Sequence, residues 1–128
     1  RNFINKNNLQ DNIILPGYID NIYPYFYNSK GFILTSLWED PGFVLVEAFF
    51  CRKLILSSNS WPGPIELIRD FKNGFVFENE NLDSFLKKFK HFNNHENIEQ
   101  ITLNGLKSSR KFSLFSHYQN LNKTLSIN

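Results

Sequence analysis

Short apolar runs alternate with segments of helical period along the chain, a pattern that predicts βα units and a parallel sheet. Residues 12–18 (NIILPGY) read as a strand closed by Pro16-Gly17, and 22–29 (IYPYFYNS) as a short helix with Pro24 in its first turn, where the missing N–H costs little. Residues 31–35 (GFILT) form a continuous apolar run of the kind buried in parallel sheets. A loop follows, punctuated by Asp40-Pro41-Gly42. The stretch 43–52 (FVLVEAFFCR) is apolar nearly all round and predicts a buried helix, except where Glu47 emerges. Residues 53–57 (KLILS) give the next strand, 58–63 (SNSWPG) a loop, and Pro64 opens a short helix through Ile68. A turn at 72–74 leads to an edge strand at 75–77. Beyond Glu80 helices take over: 82–92, with Leu82, Phe85, Leu86 and Phe89 at i, i+3, i+4, i+7; 95–111; and 113–125. No internal repeat or linker interrupts the series, so it predicts one α/β domain with three or four strands, in which the strand at 12–15 has no partner before it.

Composition changes this picture in four ways. The 128 residues contain no Met and begin at Arg1, which leads us to expect a piece of a longer protein, cut at its N-terminal side. Hydrophobic residues make up 41% and aromatics 16%, with fourteen Phe, enough for a packed core and too much for a disordered chain. No run approaches the ~18–20 apolar residues of a membrane-spanning helix. One cysteine, Cys51, forms no internal disulfide and fits a reducing compartment, so the cytoplasm is expected.

The net charge of +2 hides an asymmetry: residues 31–80 carry four basic and seven acidic side chains, residues 81–128 seven and three. No basic stripe interleaved with aromatics marks a nucleic-acid reader. The basic end is either a solvated face or a contact with an anionic acceptor or the inner face of a membrane.

The candidate chemistry lies in SLWEDPGFVLVE, residues 36–47. Glu39 falls just past the carboxyl end of a strand and Glu47 eight residues later on the next helix, and in open α/β sheets ligands bind outside those strand ends. Between them the Gly42-Phe43 peptide opens a helix, whose free N–H groups and dipole favour an anion such as phosphate. A carboxylate beside that site suits vicinal hydroxyls of ribose or a hexose. The plainer reading makes Glu39 a solvated loop residue and Glu47 a partner of Arg52 or Lys53. Trp38 and Trp61 either pack in the core or stack on a base or sugar. Cys51 reads as a buried small hydrophobe, and His91, His95 and His117 lie scattered on polar helices without ligand spacing.

Ser-Leu-x-Glu, Gly42, Glu47-Ala48, the turn GPIELI and the hairpin KNGFVF, in register over nearly the whole chain, resemble the family-4 (group 1) retaining glycosyltransferases of the GT-B fold, specifically their C-terminal nucleotide-sugar-binding domain. The resemblance implies that Glu47 holds the ribose hydroxyls and that Glu39, the catalytic candidate, lies against the donor sugar. It also implies that Gly42 and Phe43 bring backbone N–H groups to the diphosphate, with Ser36, Leu37 and Glu66 near the donor pocket. It implies a nucleotide-diphosphate sugar as donor, an acceptor glycan or lipid-linked sugar held by an N-terminal domain, and neither metal nor other cofactor, since there is no Asp-x-Asp or His cluster. Where the family often has Gly and Phe, this chain has Asp40 and Pro41, an added negative charge and a residue without an N–H. The family's diphosphate-neutralising Arg and Lys come from an upstream βα unit, and no basic residue between Lys30 and Arg52 replaces them. Two other readings stay open: a nucleotide-sugar epimerase of GT-B type, and a non-catalytic remnant binding module.

Overall fold

The structure is a computed structural model, described over residues 1–125. Its elements in chain order are α1 (Asn2–Lys6), α2 (Tyr23–Asn28), β1 (Gly31–Leu34), β2 (Trp38–Glu39), α3 (Phe43–Phe50), β3 (Leu54–Ser58), β4 (Trp61–Pro62), α4 (Gly63–Leu67), β5 (Phe75–Phe77), α5 (Leu82–Asn94), α6 (Ile98–Ser109), a 3-10 turn at Arg110–Phe112 and α7 (Leu114–Leu125).

Three strands form a parallel sheet in the order β1-β3-β5, with Gly31 opposite Leu54 and Leu56 opposite Phe75. All five residues of the central β3 are buried, as a strand covered on both faces must be. Strand alternation divides the core into two layers. Ile55 joins Phe26, Leu45, Val46, Ala48, Phe49, Leu67 and Ile68 on the α3 side, where Phe32, Leu34 and Val76 also pack. Leu54 and Leu56 join Phe75, Phe77 and Ile101 on the α5 side, against Phe85, Phe89 and Phe92. On that side Phe77 meets Phe85 edge-on at 5.2 Å, and Phe85 and Phe89 stack at 5.6 Å. Asn81 caps α5 by accepting the Ser84 N–H at 2.9 Å, which fixes where the stripe begins.

The expected Rossmann-like α/β sheet with flanking helices is present, and it has three strands in its main ladder. Four expectations are corrected. Residues 12–18 form no strand: β1 leaves one edge unpaired among the described residues, 12–18 do not take it, and Ile14 and Tyr18 stand 81% and 90% exposed. The helix expected over 95–111 starts at Ile98, because the Asn97 N–H turns back to His95 Nδ1 at 3.1 Å, and it ends in the 3-10 turn. The loops expected at 36–42 and 58–63 pair with each other as β2 and β4, parallel, with Trp38 opposite Trp61 and Glu39 opposite Pro62. On α3, Glu47 is not alone in emerging, since Phe43 and Phe50 are exposed on the same stripe at i, i+4 and i+7.

Candidate functional site

The two loops that follow the carboxyl ends of β1 and β3 are clamped together, and this clamp positions Glu39. Each turns through a cis peptide bond, Asp40-Pro41 and Trp61-Pro62. Gly63 makes the close approach possible: a Cβ placed there would stand 2.6 Å from the Pro41 carbonyl oxygen and 2.9 Å from that of Glu39. A Gly63→Ala substitution is therefore expected to part β2 from β4 at a cost of about 1–3 kcal/mol, with no flexible side chain to give way. Urea unfolding midpoints would register this, and an unchanged midpoint would show that the clamp is slack.

Glu39 is half-buried, and its Oε2 accepts the Ser36 hydroxyl at 2.9 Å. Ser36 is itself held from behind, where the buried Ser58 hydroxyl donates to the Ser36 carbonyl at 2.6 Å, with Ser60 Oγ 3.3 Å from Ser58 Oγ. Just beyond Glu39, Gly42 caps α3 in the left-handed conformation, φ +78°, with Glu39 Cγ 3.5 Å from where its Cβ would be. No side chain caps this helix, and the Gly42 carbonyl takes the Leu45 N–H at 2.9 Å. The first amides of α3, with Phe43 at their head, thus have no side-chain cap, and the Glu39 side chain packs against the Gly42 that precedes them.

Glu47 is half-buried one turn further along α3. Neither cation that could neutralise it does so. Arg52 lies 3.9 Å from Glu99, and Lys53 donates to the Tyr27 and Ser29 carbonyls at 3.1 and 3.0 Å. Among the described residues no ion pair involves Glu39, Asp40, Glu47 or Glu66. Asp40 is exposed to solvent, and Glu66 is exposed on α4, whose first residue is Gly63.

Leu37 lies apart from Glu39. It is 65% exposed and lines a groove of about 390 Å³ with Thr35, Phe77, Asn79, Asn81 and Phe85 at the carboxyl ends of β1 and β5. Asn79 spans this groove, its side-chain amide donating to the Leu37 carbonyl at 3.1 Å and its backbone N–H donating to Asn59 Oδ1 at 2.8 Å. Ser58, Asn59 and Asn79 were not singled out from the sequence. The available signal was the SSNS run directly after an apolar strand, at the end where ligands bind. A more apolar cleft of about 460 Å³, lined by Pro16, Tyr18, Ile22, Tyr25 and Phe32, sits at the other end of β1 and holds none of these residues.

Trp38 and Trp61 do not pack in the core, being 66% and 62% exposed side by side. His91 and His95 do have a structural use, packing at 5.0 and 5.5 Å from the rings of Phe71 and Phe75 respectively. Burial pushes the Cys51 thiol above its ordinary pKa, helped by the Glu47 carboxylate and opposed by Lys53, so it stays a protonated core group. No helix among the described residues is long and apolar enough to cross a membrane.

A parallel sheet covered on both faces by helices, with paired loops at its carboxyl end, has the architecture of the C-terminal domain of a GT-B protein. Residues 1–107 match the family Glycosyl transferases group 1, and the chain belongs to that family. It is 28% identical over 93 residues to the poly(ribitol-phosphate) alpha-N-acetylglucosaminyltransferase of Staphylococcus aureus strain COL, covering 73% of this chain and 19% of that protein. It is 25% identical over 108 residues to the N-acetylgalactosamine-N,N'-diacetylbacillosaminyl-diphospho-undecaprenol 4-alpha-N-acetylgalactosaminyltransferase of Campylobacter jejuni, covering 84% of this chain and 30% of that protein. The chain thus spans a fifth to a third of the length of these curated relatives. A variant of S. aureus TarM, solved with Fondaparinux, alpha-GlcNAc-glycerol and UDP, superimposes with a TM-score of 0.82 at 24% identity, over 98% of this chain and 26% of that one.

Proposed function

We propose that this chain is the donor-binding domain of a glycosyltransferase that moves a sugar from a nucleotide-diphosphate donor to an acceptor hydroxyl with retention of configuration. The observation that carries the reading is the unneutralised Glu47, whose two neighbouring cations are engaged elsewhere, on the same helix as the uncapped N-terminus beside Glu39. A half-buried carboxylate without a counter-ion is an acceptor waiting for hydroxyl donors.

In this reading Glu47 accepts from the ribose hydroxyls, and the amides at Gly42 and Phe43 meet the diphosphate. Glu39, aimed by Ser36, lies against the donor sugar, while Leu37 and Glu66 border the pocket. As the bond to the sugar breaks, negative charge grows on the departing diphosphate. Fixed N–H dipoles at that point stabilise the transition state more than the ground state. The chain asks for no resident metal or cofactor: the remaining phosphate charge is met by basic residues outside these 128, where a second domain holds the acceptor glycan or lipid-linked sugar. A lipid-linked acceptor places the work at the cytoplasmic membrane face. Support comes from the names of the two relatives, both glycosyltransferases and one acting on a diphospho-undecaprenol-linked acceptor, and from the UDP in the TarM complex.

The test is calorimetric titration with UDP, GDP and UDP-sugars, followed by a transfer assay. One nucleotide is expected to bind, and Glu39→Gln is expected to keep UDP affinity while losing the extra affinity that the sugar confers. Nucleotide released at a rate independent of acceptor would overturn transfer in favour of the epimerase, and no nucleotide binding would leave a remnant module.

A further inference from the structure

We propose that a pocket at the opposite end of the sheet from Glu39 binds a phosphate-class anion. The pocket holds about 260 Å³ and is lined by Arg69, Lys72, Asn73, Asn104, Lys107 and Ser108. It lies between the turn that precedes β5 and the second half of α6, so it shares no residue with the donor site. Three cations line it and no carboxylate does, and none of the three forms an ion pair among the described residues. Three like charges around one concavity repel one another, and each gains when an anion enters. The guanidinium and two ammonium groups keep their N–H donors for it, and oxyanion oxygens are the acceptors these groups hold best.

The walls are fixed in advance. Asn73, only 3% exposed, accepts the Arg69 N–H at 2.7 Å and donates to the Leu67 carbonyl at 3.1 Å and to Ser108 Oγ at 3.3 Å. Asn104 donates to the Lys72 carbonyl at 2.9 Å and accepts Gln100 Nε2 at 2.9 Å, while the Ser108 hydroxyl returns to the Asn104 carbonyl at 2.9 Å. The polar side chains of the pocket are thus spent on tying the turn to α6, and the cations are what remains to bind a ligand. At ~30 Å³ per water, the space takes a tetrahedral oxyanion with part of its hydration. A free phosphate and the phosphate of a lipid headgroup present the same group.

The experiment follows amide shifts of the 15N-labelled protein during titration with inorganic phosphate. Saturable shifts confined to residues 69–73 and 104–108 are expected, weakening as NaCl is raised. The double variant Lys72→Gln, Lys107→Gln, altered only at exposed positions, is expected to bind at least tenfold more weakly with an unchanged circular dichroism spectrum. Shifts that grow linearly without saturation, or that survive unchanged in the double variant, overturn the proposal. Co-sedimentation with phosphatidylcholine vesicles, with and without phosphatidylglycerol, separates the sources: pelleting that needs phosphatidylglycerol and is lost in the double variant assigns the lipid headgroup, and phosphate binding without pelleting assigns the free anion.

Discussion

Replacing Glu47 by Ala is expected to weaken UDP binding by about ten- to a hundredfold. A hydrogen bond to a charged group is worth ~1.5–3 kcal/mol, and each 1.4 kcal/mol is a factor of ten. The estimate counts the ribose contact alone, because the substitution spares the helix amides and Glu39. It should cost no stability. Glu47 forms no ion pair among the described residues, and no buried polar side-chain atom there lacks a partner. Calorimetry on wild type and variant, with melting curves alongside, checks both halves. Unchanged UDP affinity would remove Glu47 from the nucleotide site, and a large fall in melting temperature would make it a structural residue instead.

The largest effect on stability is expected at the contact between α3 and α6. Phe49 is 1% exposed, and its ring lies where a Cβ on Gly105 would have to go, with its Cε1 2.8 Å from that position. Phe49→Ala is expected to cost about 3–5 kcal/mol through lost burial and the cavity left behind. That is a large part of the ~5–15 kcal/mol that holds a domain of this kind together. Gly105→Ala sets a gain of up to ~1 kcal/mol in helix propensity against an overpacking cost of ~1–3 kcal/mol, so the clash wins. The two sites are coupled. Phe49→Leu with Gly105→Ala is expected to destabilise by less than the sum of the single changes, because the smaller side chain vacates the contested space. Additive free energies in chemical denaturation would show that the helices are not in contact there.

The same contact explains a feature of the site. Ala48 and Phe49 anchor α3 in the core, and this leaves Phe43, Glu47 and Phe50 on the outward stripe. The helix that carries the candidate ribose ligand is positioned by its apolar side, so the polar side is free for a ligand.

The sequence by itself determined the order of β1, α3, β3, α4, β5 and α5, and the family. Buried strands are continuous apolar runs, and helices repeat every three to four residues, so both are written locally. The placement of Glu39, Gly42 and Glu47 was legible for a related reason: a strand end and a helix start are local signals too. What depends on residues distant in the chain was not legible. Residues 12–18 have the composition of a strand, yet a strand exists only once it pairs, and 12–18 leave the open edge of β1 untaken. The pairing of Trp38 with Trp61, the approach of Gly63 to Glu39, and Ser58 behind Ser36 all join segments some twenty residues apart, and only the packed chain brings them together. Likewise Arg52 and Lys53 are Glu47's neighbours in sequence, and the tertiary structure assigned them to Glu99 and to the Tyr27 and Ser29 carbonyls. Which charges are left without a partner is a property of the whole fold, since a side chain pairs with what lies near it in space.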